Sequence, residues 1–347
     1  MTDDELDIIE QVEPFERYRQ EVDKGQAPLR IDKYLFLHLS GTSRNRIQSA
    51  AEAGNVWVNG KPVASNYKVK AGDIVQVLLN HERRDYTIVP ENIPLDVVYE
   101  DESVLVVNKP AGLVVHPGHG NWTGTLLNAL AYYFQGTIDM NDPSIGLVHR
   151  IDKDTSGLLL IAKTPKAKTS LGLQFFEHTT ERTYNALVWG TFTENEGTVE
   201  GALARDNRDR QIFRVWDTEE NPAAKPAITH WRVLERFPYV TLIECRLETG
   251  RTHQIRVHLR HIGHPLFADE RYGGREILKG LPTQKYKQFI QNCFDLCPRQ
   301  VLHAKTLGFT HPVTGERMLF DSEWPQDMTN LINKWRNYET ATNSLGR

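Results

Sequence analysis

The chain of 347 residues has little cysteine: Cys245, Cys293 and Cys297 are too few for a disulfide framework, and they point to a reducing, cytoplasmic setting. It also lacks long hydrophobic runs. The longest aliphatic stretch, residues 158–162, is closed by Lys163, far short of the ~20 apolar residues of a membrane span. The opening MTDDELDIIEQ is acidic and has neither the basic start nor the apolar core of a secretory signal. Nucleotide-cofactor motifs are missing, since no GxxxxGK occurs and no GxGxxG opens a helix after a strand. GxSxG and HExxH are absent too, and Cys293 and Cys297 have no histidine at finger spacing. The expectation is therefore a protein without a membrane span, a nucleotide-cofactor motif or a finger-type zinc site. HRID, at residues 149–152, resembles the kinase catalytic loop, but no glycine-rich lid or DFG accompanies it.

Charge of one sign is scarce only on average. The formal net charge is −4, yet residues 1–25 hold nine acids and three bases. Residues 30–79 hold seven bases (Arg30, Lys33, Arg44, Arg46, Lys61, Lys68, Lys70) and three acids (Asp32, Glu52, Asp73). An acidic lead followed by a small basic module fits an RNA-binding attachment; a solvated surface gives the same counts.

Residues 1–27 have few apolar positions and read as an acidic, loosely attached tail. From there Ile31, Tyr34, Leu35 and Leu39 recur at helical spacing. Ser43 can cap a helix over residues 44–53, ended by Gly54. Val56, Trp57 and Val58 form a strand, Asn59-Gly60 is a hairpin turn, and residues 74–77 form another strand. Residues 81–94 look like a linker, and 331–347 like a C-terminal tail. Between them, 95–330 mixes strands and helices without regular alternation. Thr164-Pro165 starts a helix running to about Phe176, and Thr252 caps one over 253–262 that Gly263 stops. The fold expected for this region is α+β, with a mixed, largely antiparallel sheet.

The densest chemistry lies in Gly146-Leu147-Val148-His149-Arg150-Ile151-Asp152-Lys153-Asp154-Thr155-Ser156-Gly157. Asp154 to Gly157 reads as a type I turn, with Asp154 spent on its own backbone. Asp152 is left either free to act or paired with Arg150 or Lys153. In the second stretch, residues 248–259, His258 falls on the apolar stripe of a helix and reads as a core histidine. His253, Arg256 and Arg260 share another face, which either is solvated or holds a carboxylate or phosphate. Arg256, one turn in, is best placed to reach a neighbour such as Asp152.

Two resemblances add to this reading. LRIDKYL, SRNRIQ, GNVWVNGK and KVKAGDIV, over residues 28–80, resemble the small α/β RNA-binding domain named after ribosomal small-subunit protein four. That resemblance implies that Arg30, Lys33, Arg44, Arg46 and Lys61 face RNA. HRIDKDTSGLLLIAKT is similar to the signature of the pseudouridine synthases acting on large-subunit ribosomal RNA. VNKPAG with VHP, RTY (182–184), LETGRTHQIRVH and LHA follow the family's pattern in its order.

The implied reaction breaks the bond from uracil nitrogen 1 to ribose and rejoins the ribose to carbon 5, without metal or cofactor. Asp152 is implied as the nucleophile, on either the ribose or the ring. Arg256 is its partner, Tyr184 stacks on the base and helps move the carbon-5 proton, and Ile255 lies under the base. His149 contacts substrate, and Arg150 fills the place vacated by a flipped uridine. Ile151 stands where leucine is usual, and Arg182 where lysine is common. The implied partner is large-subunit ribosomal RNA, free or in a precursor particle, met by a cytoplasmic monomer. Two alternatives stay open: an RNA-binding assembly factor whose catalysis is lost or secondary, and a metal-dependent hydrolase using some of the 13 histidines. Residues 206–226 are unfamiliar in the family pattern, and their basic, polar first half is expected to grip RNA.

Overall fold

The computed structural model describes residues 15–39, 42–79, 87–118, 121–142, 145–209 and 212–345. By its contacts the chain divides into two units, Met1–Tyr86 and Thr87–Arg347.

The smaller unit is built on short strands and two helices. Strand Phe15–Glu21 pairs antiparallel with Ile74–Leu79, which pairs in turn with Val56–Val58. Helices Ile31–His38 and Arg44–Glu52 lay Ile31, Leu35 and Ile47 against Val56 and Val75. Ser43 Oγ accepts from the backbone N–H of Arg46, the cap expected for the second helix. Asn59 and Gly60 both have positive φ (50° and 76°), as a two-residue hairpin turn requires.

The expected tail over residues 1–27 needs correction. Residues 1–14 lie outside the described residues, but 15–21 form an edge strand, and Val22 is buried at 1% exposure. Edge strands carry charge to discourage further pairing, so FERYRQE has the composition of a tail and the role of a strand.

The larger unit is organised by one sheet. Its strand order is Glu196–Glu200, Ile228–Arg236, Val240–Leu247, Glu181–Trp189, Leu302–Thr310, Ser156–Ala162, Val104–Lys109, Val97–Glu100. Arg317–Asp321 and Gly146–Leu147 add to it at the sides. Among the described strands every pairing is antiparallel except that of Ser156–Ala162 with Leu302–Thr310. The architecture is thus α+β with a mixed, largely antiparallel sheet. At the parallel junction the backbones approach so closely that a Cβ on Gly157 (φ 113°) would overlap the backbone of Ala304.

Helix Pro165–Phe176 forms as expected, with Thr164 Oγ1 accepting from Ala167 N–H. The C-terminal tail does not. Residues 326–345 are helical, and Met328, Leu331, Ile332 and Trp335 are buried against helix Gln284–Leu296 and its neighbours. Their i, i+3, i+4, i+7 spacing is a helix face. The linker expected over residues 81–94 needs correction in its second half. Residues 81–86 lie outside the described residues, whereas 87–94 are tied into the larger unit: Asn128 Nδ2 donates to the Val89 carbonyl and Gly124 N–H to the Glu91 carboxylate.

Candidate active site

Asp152 reaches its position by a tight turn. The Thr155 N–H donates to the Asp152 carbonyl at 3.1 Å, so the turn runs from Asp152 to Thr155, two residues earlier than the Asp154–Gly157 turn expected from sequence. Its far side is clamped. The buried ammonium of Lys109 donates to the carbonyls of Pro110, Leu113 and Lys153 at 2.7, 2.8 and 2.9 Å. Burial pushes the Lys109 pKa down to about 7, with Asp154 and Asp152 opposing and Arg299 adding to the fall. Arg299 Nη1 holds the Asp154 carbonyl at 2.9 Å.

Helix Gln254–His261 supplies the partner. It starts one residue later than the expected Thr252 cap allows, because His253 takes the left-handed conformation (φ 57°) in front of it. The Gln254 amide, 2% exposed, pins the preceding turn through Thr249 Oγ1, Arg251 N–H and the Ile228 carbonyl. One turn on, Arg256 Nη1 donates to Asp152 Oδ2 at 2.9 Å, while Nε and Nη2 grip Asp269 at 2.7 and 2.9 Å. The Arg256 guanidinium also lies over the Tyr272 ring, 4.8 Å from its centroid. Burial works against the Arg256 charge, but the bonds and charges of Asp269 and Asp152 outweigh it and raise its pKa. His253 Nε2 is 3.9 Å from Asp152 Oδ1, and its Nδ1 shares a proton with the Tyr272 hydroxyl at 2.7 Å. Burial lowers the His253 pKa to about 4 despite the nearby Asp152.

Asp152 is 21% exposed and faces a cleft of about 370 Å³, room for a small ligand or a nucleotide. Tyr184 lines the same cleft from strand Glu181–Trp189; burial raises its pKa, and its hydroxyl meets no described partner. Ile255 forms part of the apolar wall and Arg150 stands at the exposed rim. His149 lines the cleft as well, but its ring is committed to the scaffold: Nε2 accepts from Leu160 N–H at 2.9 Å, and the ring stacks on Phe175. Burial, with Arg182 close by, drives its pKa down to about 3. His258 is a core histidine, as expected, bonded to Thr229 and Gly201.

A match to the RNA pseudouridylate synthase family covers residues 103–261, the segment holding Asp152, Tyr184 and Arg256. A pseudouridine synthase of Bacillus subtilis is 44% identical over 308 residues, 88% of this chain and 94% of that protein. The ribosomal large subunit pseudouridine synthase D of Pasteurella multocida is 41% identical over 313 residues, 90% of this chain and 93% of its own.

This chain belongs to the RNA pseudouridine synthases.

The solved human RNA pseudouridylate synthase domain containing 1 superposes with a TM-score of 0.53 at 27% identity, over 71% of this chain and 89% of that one. The synthase carries an S4 domain at residues 29–75. Within it the five predicted bases divide into two sets. Arg30 and Arg44 both bond the fully buried Asp32, at 3.1 and 2.9 Å, with Gln48 as a third donor at 2.8 Å. Burial works to raise the Asp32 pKa, yet Arg44, Gln48 and Arg30 hold it well below the usual carboxylate range. Lys33, Arg46 and Lys61 are exposed, and their side chains bond no described residue.

Sequence reading missed Asp269 and Tyr272. Both lie in a loop whose only signal is the Gly273-Gly274 pair; Gly274 is needed there because a Cβ would overlap the Leu266 carbonyl. Residues 206–226 contribute Phe213–Trp216, which pairs with Ala202–Arg205 as a hairpin and sets the Phe213 ring edge-on to His253. Residues 210–211 lie outside the described residues.

Proposed function

We propose that this synthase isomerises uridine to pseudouridine in large-subunit ribosomal RNA, with Asp152 as the nucleophile. The observation that carries the reading is the Asp152 carboxylate, presented at the cleft while Arg256 holds it from behind. An ion pair of this kind keeps the attacking group charged and aimed. The reaction needs an everted nucleotide, and the cleft offers one wall for its base. Tyr184 stacks on the ring and, with its hydroxyl free, takes part in moving the carbon-5 proton. Ile255 supports the base from below. Arg150, exposed at the rim, enters the gap left in the RNA stack. Attack on ribose and attack on the ring both start from this carboxylate. The S4 domain adds Lys33, Arg46 and Lys61 as phosphate contacts, with Arg30 and Arg44 held in place by Asp32. Action as a monomer, in the cytoplasm where the RNA is made, belongs to the same reading.

Incubation of purified protein with an unmodified large-subunit RNA transcript, followed by pseudouridine mapping, tests this. Wild type forms pseudouridine; Asp152→Ala binds the RNA and forms none. Residual turnover above about a thousandth of wild type would falsify the nucleophile assignment.

A further inference from the structure

Arg182 is a buried cleft arginine to which the described residues offer no carboxylate. It is 7% exposed, and its Nε is buried without a hydrogen-bond partner. No described carboxylate pairs with it; its guanidinium lies over the Phe175 ring, 5.3 Å from the centroid. Gly250 lies beside it, where a Cβ would come within 2.9 Å of Arg182 Nη1 and push the guanidinium aside. Arg182 precedes Tyr184 by two residues on one strand, so both side chains leave the sheet on the same face and line the same cleft. The described lining holds four arginines (Arg150, Arg182, Arg251, Arg256) and one acid, Asp152, which Arg256 already occupies. A buried guanidinium without an acceptor is costly and is retained where an anion arrives to meet it. The forked donors of arginine match phosphate oxygens. Phe176, 79% exposed at the same rim, offers a flanking base a stacking surface, which favours nucleic acid over a free anion.

We infer that Arg182 binds a backbone phosphate of the nucleotide seated in the cleft, and so positions its ribose against Asp152. The inference rests on the proposed function for the identity of that nucleotide.

Wild type, Arg182→Gln and Arg182→Lys are compared on an unmodified large-subunit RNA transcript, by equilibrium binding at several salt concentrations and by pseudouridine formation. Expected for Arg182→Gln is a binding slope against log salt flattened by about 0.7, one phosphate contact on a single strand. Its kcat/KM falls by about tenfold or more, mainly through KM. Arg182→Lys restores the slope. Inorganic phosphate inhibits wild type beyond chloride of equal ionic strength and loses this extra effect on Arg182→Gln. An unchanged slope, or a loss confined to kcat, overturns the inference, as does a lowered melting temperature with binding intact. If Arg182→Gln does not fold, Gly250→Ala, which displaces the guanidinium without removing its charge, must weaken phosphate inhibition; undiminished inhibition overturns the inference. Binding slopes need no turnover. Wild type that binds RNA but makes no pseudouridine therefore defeats the proposed function and leaves the phosphate contact separately measured.

Discussion

Asp269, 1% exposed, occupies two of the three donor nitrogens of Arg256 and leaves only Nη1 to face Asp152. The arginine is therefore aimed by a carboxylate that never meets the cleft. Asp269→Asn keeps the shape but removes the charge and sets an amide against the guanidinium. Activity is expected to fall about tenfold to a hundredfold, mostly in kcat, with the melting temperature lowered as a buried pair is broken. Steady-state kinetics within twofold of wild type would show that Arg256 does not need this anchor.

Acid should unfold the protein early. Burial holds His149 near about 3 and His253 and His303 near about 4, all below the free imidazole value. Between those values and about 6.5 the unfolded chain binds more protons than the folded one, so stability drops as pH falls through that window. Thermal melts from pH 7 to pH 4 are expected to slope downward. His303, bonded to Ser156 and Ser322, is the cleanest contributor, and His303→Gln should flatten the slope. A level wild-type profile would count against the neutral imidazoles.

Gly157→Ala should be among the most damaging single changes. It combines a positive φ with overlap onto the Ala304 backbone, at the one parallel pairing described in the sheet. A loss of about 3 kcal/mol or more is expected, from strain and clash together. Chemical denaturation measures it; a loss under 1 kcal/mol would mean that the two strands separate easily.

In the S4 domain, Lys33→Ala, Arg46→Ala and Lys61→Ala should each flatten the salt dependence of RNA binding by about 0.7 to 0.9 and leave the melt untouched. Arg44→Ala should disturb both, since it also withdraws a donor from the buried Asp32. Equal melts for Arg44→Ala and Lys61→Ala would refute that distinction.

The legible parts of the sequence were those with local chemistry. Thr164-Pro165 announces a helix because cap and first turn adjoin, and Asn59-Gly60 announces a hairpin because both residues tolerate positive φ. Asp152, Tyr184 and Arg256 stood out through charged loops and family pattern. Less legible were the pieces decided by distant partners. The strand Phe15–Glu21 is polar because it lies at an edge, so its composition imitates a tail. The left-handed His253 displaces the helix start from Thr252, since the ring is drawn to Tyr272 nineteen residues on. Asp269 meets Arg256 from thirteen residues on, beyond the end of the helix, with no periodicity to announce it. The terminal helix is written in the spacing of Met328, Leu331, Ile332 and Trp335, and its overall polar composition hides it.

The strand Leu302–Thr310 sits between Glu181–Trp189 and Ser156–Ala162, the halves of the sheet that bring Tyr184 and Asp152 together. During translation this keystone emerges after both of its neighbours. Until it does, the nascent protein carries two half-sheets with bare edges, a state prone to wrong association and suited to chaperone capture. A ribosome stalled before codon 302 would thus hold both reactive side chains and no working enzyme.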